Sequence, residues 1–347
     1  MIDILSLSLE ELQEEIAKIN EAAFRAKQIF DWLHVKRAVS FSEMSNLSEQ
    51  FRLKLAEHFC IKRLNIEKKL VSRHDYTVKY LYELPDFQNI ETVLMKYKHA
   101  NSLCVSTQAG CKMNCAFCAS GANGFVRNLE PSEMLLQLYE TERNSDMQVG
   151  SLVLMGIGEP LDNFNNVIKF LRLLSDKNGR NMSLRHVSLS TCGLADKIDE
   201  LAELRPGLTL SVSLHAADDE TRSKIMPVNN KFNIASLLKS CKSYYEKTGR
   251  RVSFEYALIK DVNDSLETAE KLAKLIKPLH AHLNLIPVNP TGHALRAPAN
   301  IKYFYERLVQ SGINVTVRRT LGADINAACG QLRAESTESS LKMTKCN

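Results

Sequence analysis

CVSTQAGCKMNCAFCAS, residues 104–120, begins as a strand and ends as a loop crowded with thiols. Its first residues continue the strand-like run SLCVST. Its second half sets Cys111, Cys115 and Cys118 in the pattern Cys-x3-Cys-x2-Cys. Thiolates at this density bind zinc or an iron–sulfur cluster. Zinc knuckles pair Cys-x2-Cys sets and close a four-ligand shell, and no fourth Cys or His lies nearby in the sequence. Electron-transfer clusters also use four protein ligands. Three ligands leave one iron of a [4Fe-4S] cluster open, and an open position is what catalysis needs.

Outward from this stretch the pattern is alternation. Strand-like runs SLVLMG, HVSLST, LTLSVSL, RVSFEYAL and AHLNLIPV are separated by helical stretches such as NFNNVIKFLRLLSD and SLETAEKLAKLIK. A further helix, IKYFYERLVQSG, and a strand, INVTVRR, follow. Strands alternating with helices predict parallel βαβ units and an α/β fold, with a barrel or part of one. In such folds the site forms beyond the C-terminal ends of the strands. Those ends read TQAGCKMNCAFC, GIGEPLDN, STCG, SLHAAD and VNPTG, so one face collects nearly all the polar chemistry.

Upstream the period changes. Residues 1–62 predict a small helical domain: Ser8 with Glu11 makes a capping box before the stripe Leu9, Leu12, Ile16 and Ile19. FRAKQIFDWL is expected to bury Phe24, Ile29, Phe30 and Leu33, and Ser48 to cap a third helix burying Phe51, Leu55 and Phe59. Residues 63–97 predict a β-hairpin linker around the turn PDFQN. The α/β core is expected over 98–333, followed by a polar, disordered tail at 334–347.

Composition is that of an ordinary globular protein, with 44% hydrophobic and 24% charged residues and net charge +5. Basic pairs at Lys62-Arg63, Lys68-Lys69, Arg250-Arg251 and Arg318-Arg319 are candidates for phosphate contacts. Nine cysteines, an odd number, with no signal-peptide start and no membrane-length apolar run, argue against a disulfide framework and for a cytoplasmic protein without a membrane partner. Cys60, Cys241 and Cys346 read as structural. Cys329 stands alone in DINAACGQLR, residues 324–333, with no second cysteine close by.

The three-cysteine loop, with Phe117 before the last thiol and Gly158-Glu159-Pro160 after the second strand, resembles the radical S-adenosylmethionine superfamily. That resemblance implies a partial (β/α)6 barrel, a [4Fe-4S] cluster on Cys111, Cys115 and Cys118, and S-adenosylmethionine chelated to the open iron. Further stretches resemble the RlmN family of dual-specificity RNA methyltransferases across almost the whole chain: FRAKQIFDWL, IETVLM, MGIGEPLDN, RHVSLSTCG, SLHAADDETRSKIMPVN, VSFEYALIKDVND, NLIPVNP and DINAACGQLR.

The family resemblance implies methylation of carbon 2 of adenine in 23S rRNA, at the peptidyl transferase centre, and in tRNA. Carbon 2 is an electron-poor amidine carbon without a nucleophilic lone pair, so ordinary transfer from a sulfonium fails there and radical chemistry is required. In the family a cysteine matching Cys329 carries the methyl group. Two S-adenosylmethionine molecules serve each turnover, one as methyl donor and one as radical source. A thiol matching Cys104 releases the product through a transient disulfide, and Glu91 matches the proton acceptor. Cofactor contacts carried over by motif are Gly158, Glu159, Ser190, Ser213, Leu214, His215 and Asn289.

A low-potential donor such as flavodoxin or ferredoxin and a monomeric state are also implied. Two features depart from the family pattern: Cys192 stands where serine is commoner, and PTGHALRAP after Asn289 is short. The small neighbours Ala327, Ala328 and Gly330 suggest that the Cys329 loop swings. The nearest alternative is the sister family Cfr, which methylates carbon 8 of the same rRNA adenine. A non-catalytic RNA-binding protein with a structural zinc is the alternative of another class; it predicts a fourth metal ligand and basic runs interleaved with aromatics.

Overall fold

The computed structural model describes residues 1–291 and 294–332; the expected tail at 334–347, Cys346 included, lies outside them. The N-terminal module comprises β1 (Ile2–Asp3), α1 (Leu9–Lys18), α2 (Phe24–His34), α3 (Glu49–His58) and β2 (Phe59–Cys60), with β1 and β2 paired in parallel. The capping box forms as expected. Ser8 Oγ accepts from Glu11 N at 3.2 Å, and the Glu11 carboxylate accepts from Ser8 N at 2.8 Å. Ser48 caps α3 through Phe51 N. Leu12, Ile16, Ile29, Phe30, Leu33, Phe51 and Leu55 are buried. Phe24 is not: it is the first residue of α2, projects into solvent at 61% exposure, and carries the Arg25 guanidinium 5.0 Å from its ring centre.

Segment 63–97 contains the expected hairpin around residues 84–88, and its strands extend the main sheet. β3 (Asn65–Val71), β4 (Val78–Glu83) and β5 (Asn89–Lys96) form an antiparallel meander, and β5 pairs antiparallel with the next strand, β6 (Asn101–Cys104). Leu94 opposite Leu103 and Val93 opposite Cys104 continue the hydrogen-bonded ladder into the barrel. The exposed edge β3 carries Lys68 and Lys69, charges that discourage pairing with another chain. A hairpin not foreseen in the alternation, β7 (Gln108–Gly110) with β8 (Phe125–Asn128), brackets the thiol-rich loop.

Beyond it the strands and helices alternate as expected: α4 (Pro131–Ser145), β9 (Val149–Leu154), α5 (Phe164–Ser175), β10 (Val187–Thr191), α6 (Ala195–Leu204), β11 (Thr209–Ser213), α7 (Asp219–Ile225), α8 (Ile234–Thr248), β12 (Ser253–Leu258), α9 (Leu266–Ile276), β13 (His282–Pro287), α10 (Lys302–Gln310) and β14 (Asn314–Val317). The ten-stranded sheet runs β14-β13-β12-β11-β10-β9-β6-β5-β4-β3, and every pairing from β6 to β14 is parallel. This is the partial barrel expected, with β14 at one end and the meander at the other.

Alternation within each strand explains the two faces. In β10, Val187, Leu189 and Thr191 are buried, while Ser188 and Ser190 are less so. Val167, Phe170, Leu171 and Leu174 of α5 cover the outer face as an amphipathic stripe. One continuous core joins barrel and N-terminal module. At their junction the buried ring of His34 meets the Tyr139 hydroxyl through Nδ1 at 3.1 Å and tilts against Phe30. Desolvation pushes the His34 pKa down to about 3, so it is neutral.

Candidate active site

Strands β9 to β14 end toward one cavity. Its wall includes Cys111, Cys115 and Cys118 from the β7–β8 hairpin, Gly158 and Glu159 after β9, Ser190 and Cys192 at β10, Ser213 and His215 at β11, Asn289 after β13, and Cys329. The topology thus gathers nearly all the residues singled out from sequence. Three do not line it. Leu214 has its side chain fully buried in the core. Cys104 and Glu91 are buried on β6 and β5.

The thiol-rich loop is held from three directions. Phe117 packs edge-on against His215 with ring centres 4.6 Å apart. Ala116 N donates to the Ile225 carbonyl at 2.9 Å, and Ala119 N to the Gly330 carbonyl at 2.7 Å. The hairpin needs Gly110, with φ +74°: a Cβ there would stand 1.9 Å from the Gly124 carbonyl oxygen. All three loop thiols are unpaired. Burial pushes the Cys111 thiol up to about 11 and raises Cys115 further, so a bound cation is needed to keep them as thiolates. No three His, Cys, Asp or Glu among the described residues converge closely enough to hold a single metal ion. Thiols spread along a cavity wall suit a cluster in which each of three irons takes one thiolate.

Glu159 is 3% exposed and stays fixed by its neighbours. Its Oε1 accepts from Leu161 N at 3.0 Å and its Oε2 from Cys192 N at 2.6 Å, while its own N–H donates to Gln108 Oε1 at 2.9 Å. Burial raises its pKa against these hydrogen bonds. A buried carboxylate held by backbone N–H groups, and facing a cavity, fits an ammonium group. Gly158 makes the approach possible: at φ +107°, a Cβ would lie 2.6 Å from Gln108 Cβ. Cys192, without an account from sequence, sits against this carboxylate and on the cavity wall.

His215 adopts the left-handed region at φ 56° and is buried. Ala257 N donates to its Nδ1 at 2.8 Å, which leaves Nε2 as the protonated ring nitrogen and a donor. Desolvation, aided by the Arg222 charge, lowers its pKa to about 3. Arg222, fully buried in α7, spends its guanidinium on carbonyls of Cys192, Ser213, Leu214 and Phe232 and on Asn229 Oδ1. It ties the ends of β10 and β11 together, a role that no local motif signals.

Three hydrogen bonds join the Cys329 loop to its neighbours. Asn289 Nδ2 donates to the Cys329 carbonyl at 3.0 Å, Gln331 Nε2 to the Pro290 carbonyl at 2.9 Å, and Ser120 Oγ to the Leu332 carbonyl at 2.9 Å. Ala327 and Ala328 are buried, so their small size serves packing. Cys104, Val93, Ile157, Ala327 and Leu332 form one apolar cluster directly beneath this loop. Desolvation, with Cys329 nearby, pushes the Cys104 thiol up to about 12. Glu91, 5% exposed, pairs with Lys79 Nζ at 3.0 Å, and Lys79 in turn donates to the Asn326 carbonyl at 3.1 Å.

The basic pairs have structural work. Lys62 pairs with Glu130 at 2.6 Å, Arg250 donates to the Leu208 carbonyl at 2.8 Å, and Arg318 points into the cavity beside Glu255. In the sequence Arg318 stands out only as half of a basic pair, and Glu255 not at all. Only the alternation of β12, which turns Glu255 inward with Ser253 and Ala257, could have found the acid.

Two families match this chain. Residues 2–61 match the ribosomal RNA large subunit methyltransferase N-terminal domain, and residues 105–276 match the radical SAM superfamily. A protein of Lachnoclostridium phytofermentans named "Probable dual-specificity RNA methyltransferase RlmN" is 48% identical over 98% of this chain and 96% of its own. A protein of Clostridium novyi with the same name is 48% identical over 96% of this chain and 98% of its own. The crystal structure of a radical SAM methyltransferase from Sphaerobacter thermophilus superposes with a TM-score of 0.92 at 40% identity, covering 96% of this chain and all of that one. No helix among the described residues is long and apolar enough to cross a membrane.

Proposed function

The chain belongs to the RlmN family of radical SAM RNA methyltransferases, and from that premise we propose that it methylates carbon 2 of adenine in 23S rRNA and tRNA. One observation carries the proposal: three unpaired thiols, the buried Glu159 carboxylate and the isolated Cys329 line a single cavity. Cys111, Cys115 and Cys118 would hold a [4Fe-4S] cluster, and Glu159 would receive the ammonium of S-adenosylmethionine. Bound together, these groups supply one-electron cleavage of a sulfonium and hydrogen-atom abstraction.

The chain's own residues do the rest. Ser190 and Ser213 offer hydroxyls at strand ends, and His215 offers Nε2–H, to ribose and carboxylate oxygens. Cys329 accepts a methyl group on sulfur and presents that carbon to the adenine. Cys104 then attacks the Cys329 sulfur, forming a disulfide as the bond from sulfur to the new methyl carbon breaks; that carbon keeps the bonding pair and takes up the proton that the Cys104 thiol loses. Glu91, paired with Lys79 Nζ at 3.0 Å, takes the proton lost from carbon 2, and the unpaired electron of the adduct would return to the iron–sulfur group held by Cys111, Cys115 and Cys118. Two S-adenosylmethionine molecules are used in each cycle, and a small low-potential protein such as flavodoxin or ferredoxin supplies the electron to a monomeric, cytoplasmic enzyme.

Anaerobically reconstituted protein should bind S-adenosylmethionine and convert adenosine to 2-methyladenosine in ribosomal or transfer RNA, read by mass spectrometry of digested RNA. Methylation at carbon 8, or none from protein with an intact cluster, would overturn the assignment.

A further inference from the structure

Glu255 lies on the inner face of β12, 3% exposed, on the cavity wall. Its Oε1 accepts from Asn284 Nδ2 at 2.9 Å. Asn284 Oδ1 accepts from Thr316 Oγ1 at 2.7 Å and faces His282 Nε2 at 3.1 Å. A polar chain across β12, β13 and β14 therefore fixes the carboxylate's direction. Its second oxygen, Oε2, is buried without a hydrogen-bond donor. The nearest cation is the Arg318 guanidinium, with Nη1 at 3.6 Å, beyond hydrogen-bond length.

Among the described residues the Arg318 guanidinium has donors to spare. Its Nη1 rests 3.4 Å from Met155 Sδ, a weak acceptor, and Met155 packs against the cluster that holds Cys104. Arg318, Glu255 and Cys329 line the same cavity. A directed acceptor lacking a donor, beside a cation with unused donors, is a site awaiting a ligand with the complementary pair.

We propose that Glu255 and Arg318 form the subsite for the acceptor base, Glu255 accepting from the 6-amino group of adenine and Arg318 donating to ring nitrogen 1. This rests on the function proposed above and names the residues that would select its substrate. The Watson–Crick edge of an unstacked adenine presents a donor and an acceptor side by side, and carbon 2 is bonded to that acceptor. Reading this edge brings carbon 2, not carbon 8, toward Cys329. A guanidinium on nitrogen 1 also withdraws electron density from the amidine, which makes carbon 2 a better acceptor for an electron-rich carbon radical. Guanine and hypoxanthine present the reverse order, a carbonyl and an N–H, and would set like against like at both residues.

The test uses reconstituted holoenzyme and RNA transcripts carrying adenosine, purine riboside (which lacks the 6-amino group) or inosine at the target. Wild-type enzyme should lose about 10- to 100-fold in kcat/KM on purine riboside, the range for one unpaired recognition group. Glu255→Ala should lose a similar factor on adenosine and no longer distinguish adenosine from purine riboside. Glu255→Gln, which keeps the volume and the Asn284 contact, should narrow discrimination against inosine. The dissociation constant for S-adenosylmethionine should stay unchanged in both variants. Equal discrimination in wild type and variants would overturn the subsite, as would a parallel loss of S-adenosylmethionine affinity, which would assign Glu255 to the cofactor. Those results leave the proposed function standing if wild-type product is 2-methyladenosine; wild-type methylation at carbon 8 would overturn both.

Discussion

Cys104 and Ala327 share one small apolar cluster, so the strand thiol lies directly under the loop that presents Cys329. The fold brings the end of β6 and the C-terminal loop together although nearly the whole parallel sheet separates them in the chain. Burial and the nearby Cys329 push the Cys104 thiol up to about 12, so it is held as a thiol. Its attack therefore waits for an event that removes its proton or opens the cluster.

Replacing Cys104 by alanine should block release and leave RNA covalently joined to Cys329. A denaturing gel with labelled RNA, and peptide mapping of the shifted band, reads this directly. Ordinary turnover by the variant would refute the resolving role.

Glu159→Gln removes the charge and, because its amide has a single acceptor oxygen, keeps only one of the hydrogen bonds from Leu161 N and Cys192 N. Loss of a charge-assisted contact of roughly 1.5–3 kcal/mol predicts S-adenosylmethionine binding weaker by about 10- to 100-fold. Equilibrium binding to reconstituted protein measures it, and the absorbance of the cluster should be unaltered.

Gly158→Ala and Gly207→Ala separate backbone strain from steric clash. Gly207 has φ +72° and open space around its would-be side chain. Its substitution should cost only the left-handed penalty, about 1–2 kcal/mol. Gly158 meets the Gln108 side chain and backbone within 2.8 Å as well. That variant should melt lower by several degrees more in thermal denaturation, and should lose S-adenosylmethionine binding.

His34 is neutral in the fold, with a pKa near 3 caused by desolvation, against an ordinary value near 6.5. The unfolded chain binds its proton first as pH falls. Stability is therefore complete above pH 6.5 and declines below it, by about 1.4 kcal/mol per pH unit for this group, until the folded pKa is reached. Denaturant melts between pH 7 and pH 5 should show this slope, and His34→Leu should flatten it at a modest cost at pH 7 from the stranded Tyr139 hydroxyl. An unchanged slope in the variant would place the acid sensitivity elsewhere, His215 being the other buried histidine with the same shift.

What the sequence determined by itself was whatever depends on short-range pattern. Alternating strands and helices specify parallel βαβ units, because each crossover helix must cover a sheet face. The spacing of Cys111, Cys115 and Cys118 sets three thiols on one loop, and Ser8 with Glu11 specifies a helix start. What only tertiary structure decided concerns groups whose meaning lies in their partners. Residues 63–97 looked like a linker because their pairing with β6 involves the backbone, which leaves no local signature. Phe24 looked buried because periodicity does not record where a helix protrudes. Arg318 looked like half of a surface basic pair, and Glu255 like one acid among many. Burial beside one another on the cavity wall changes both, since desolvation makes each need a partner and the fold leaves a space where that partner fits.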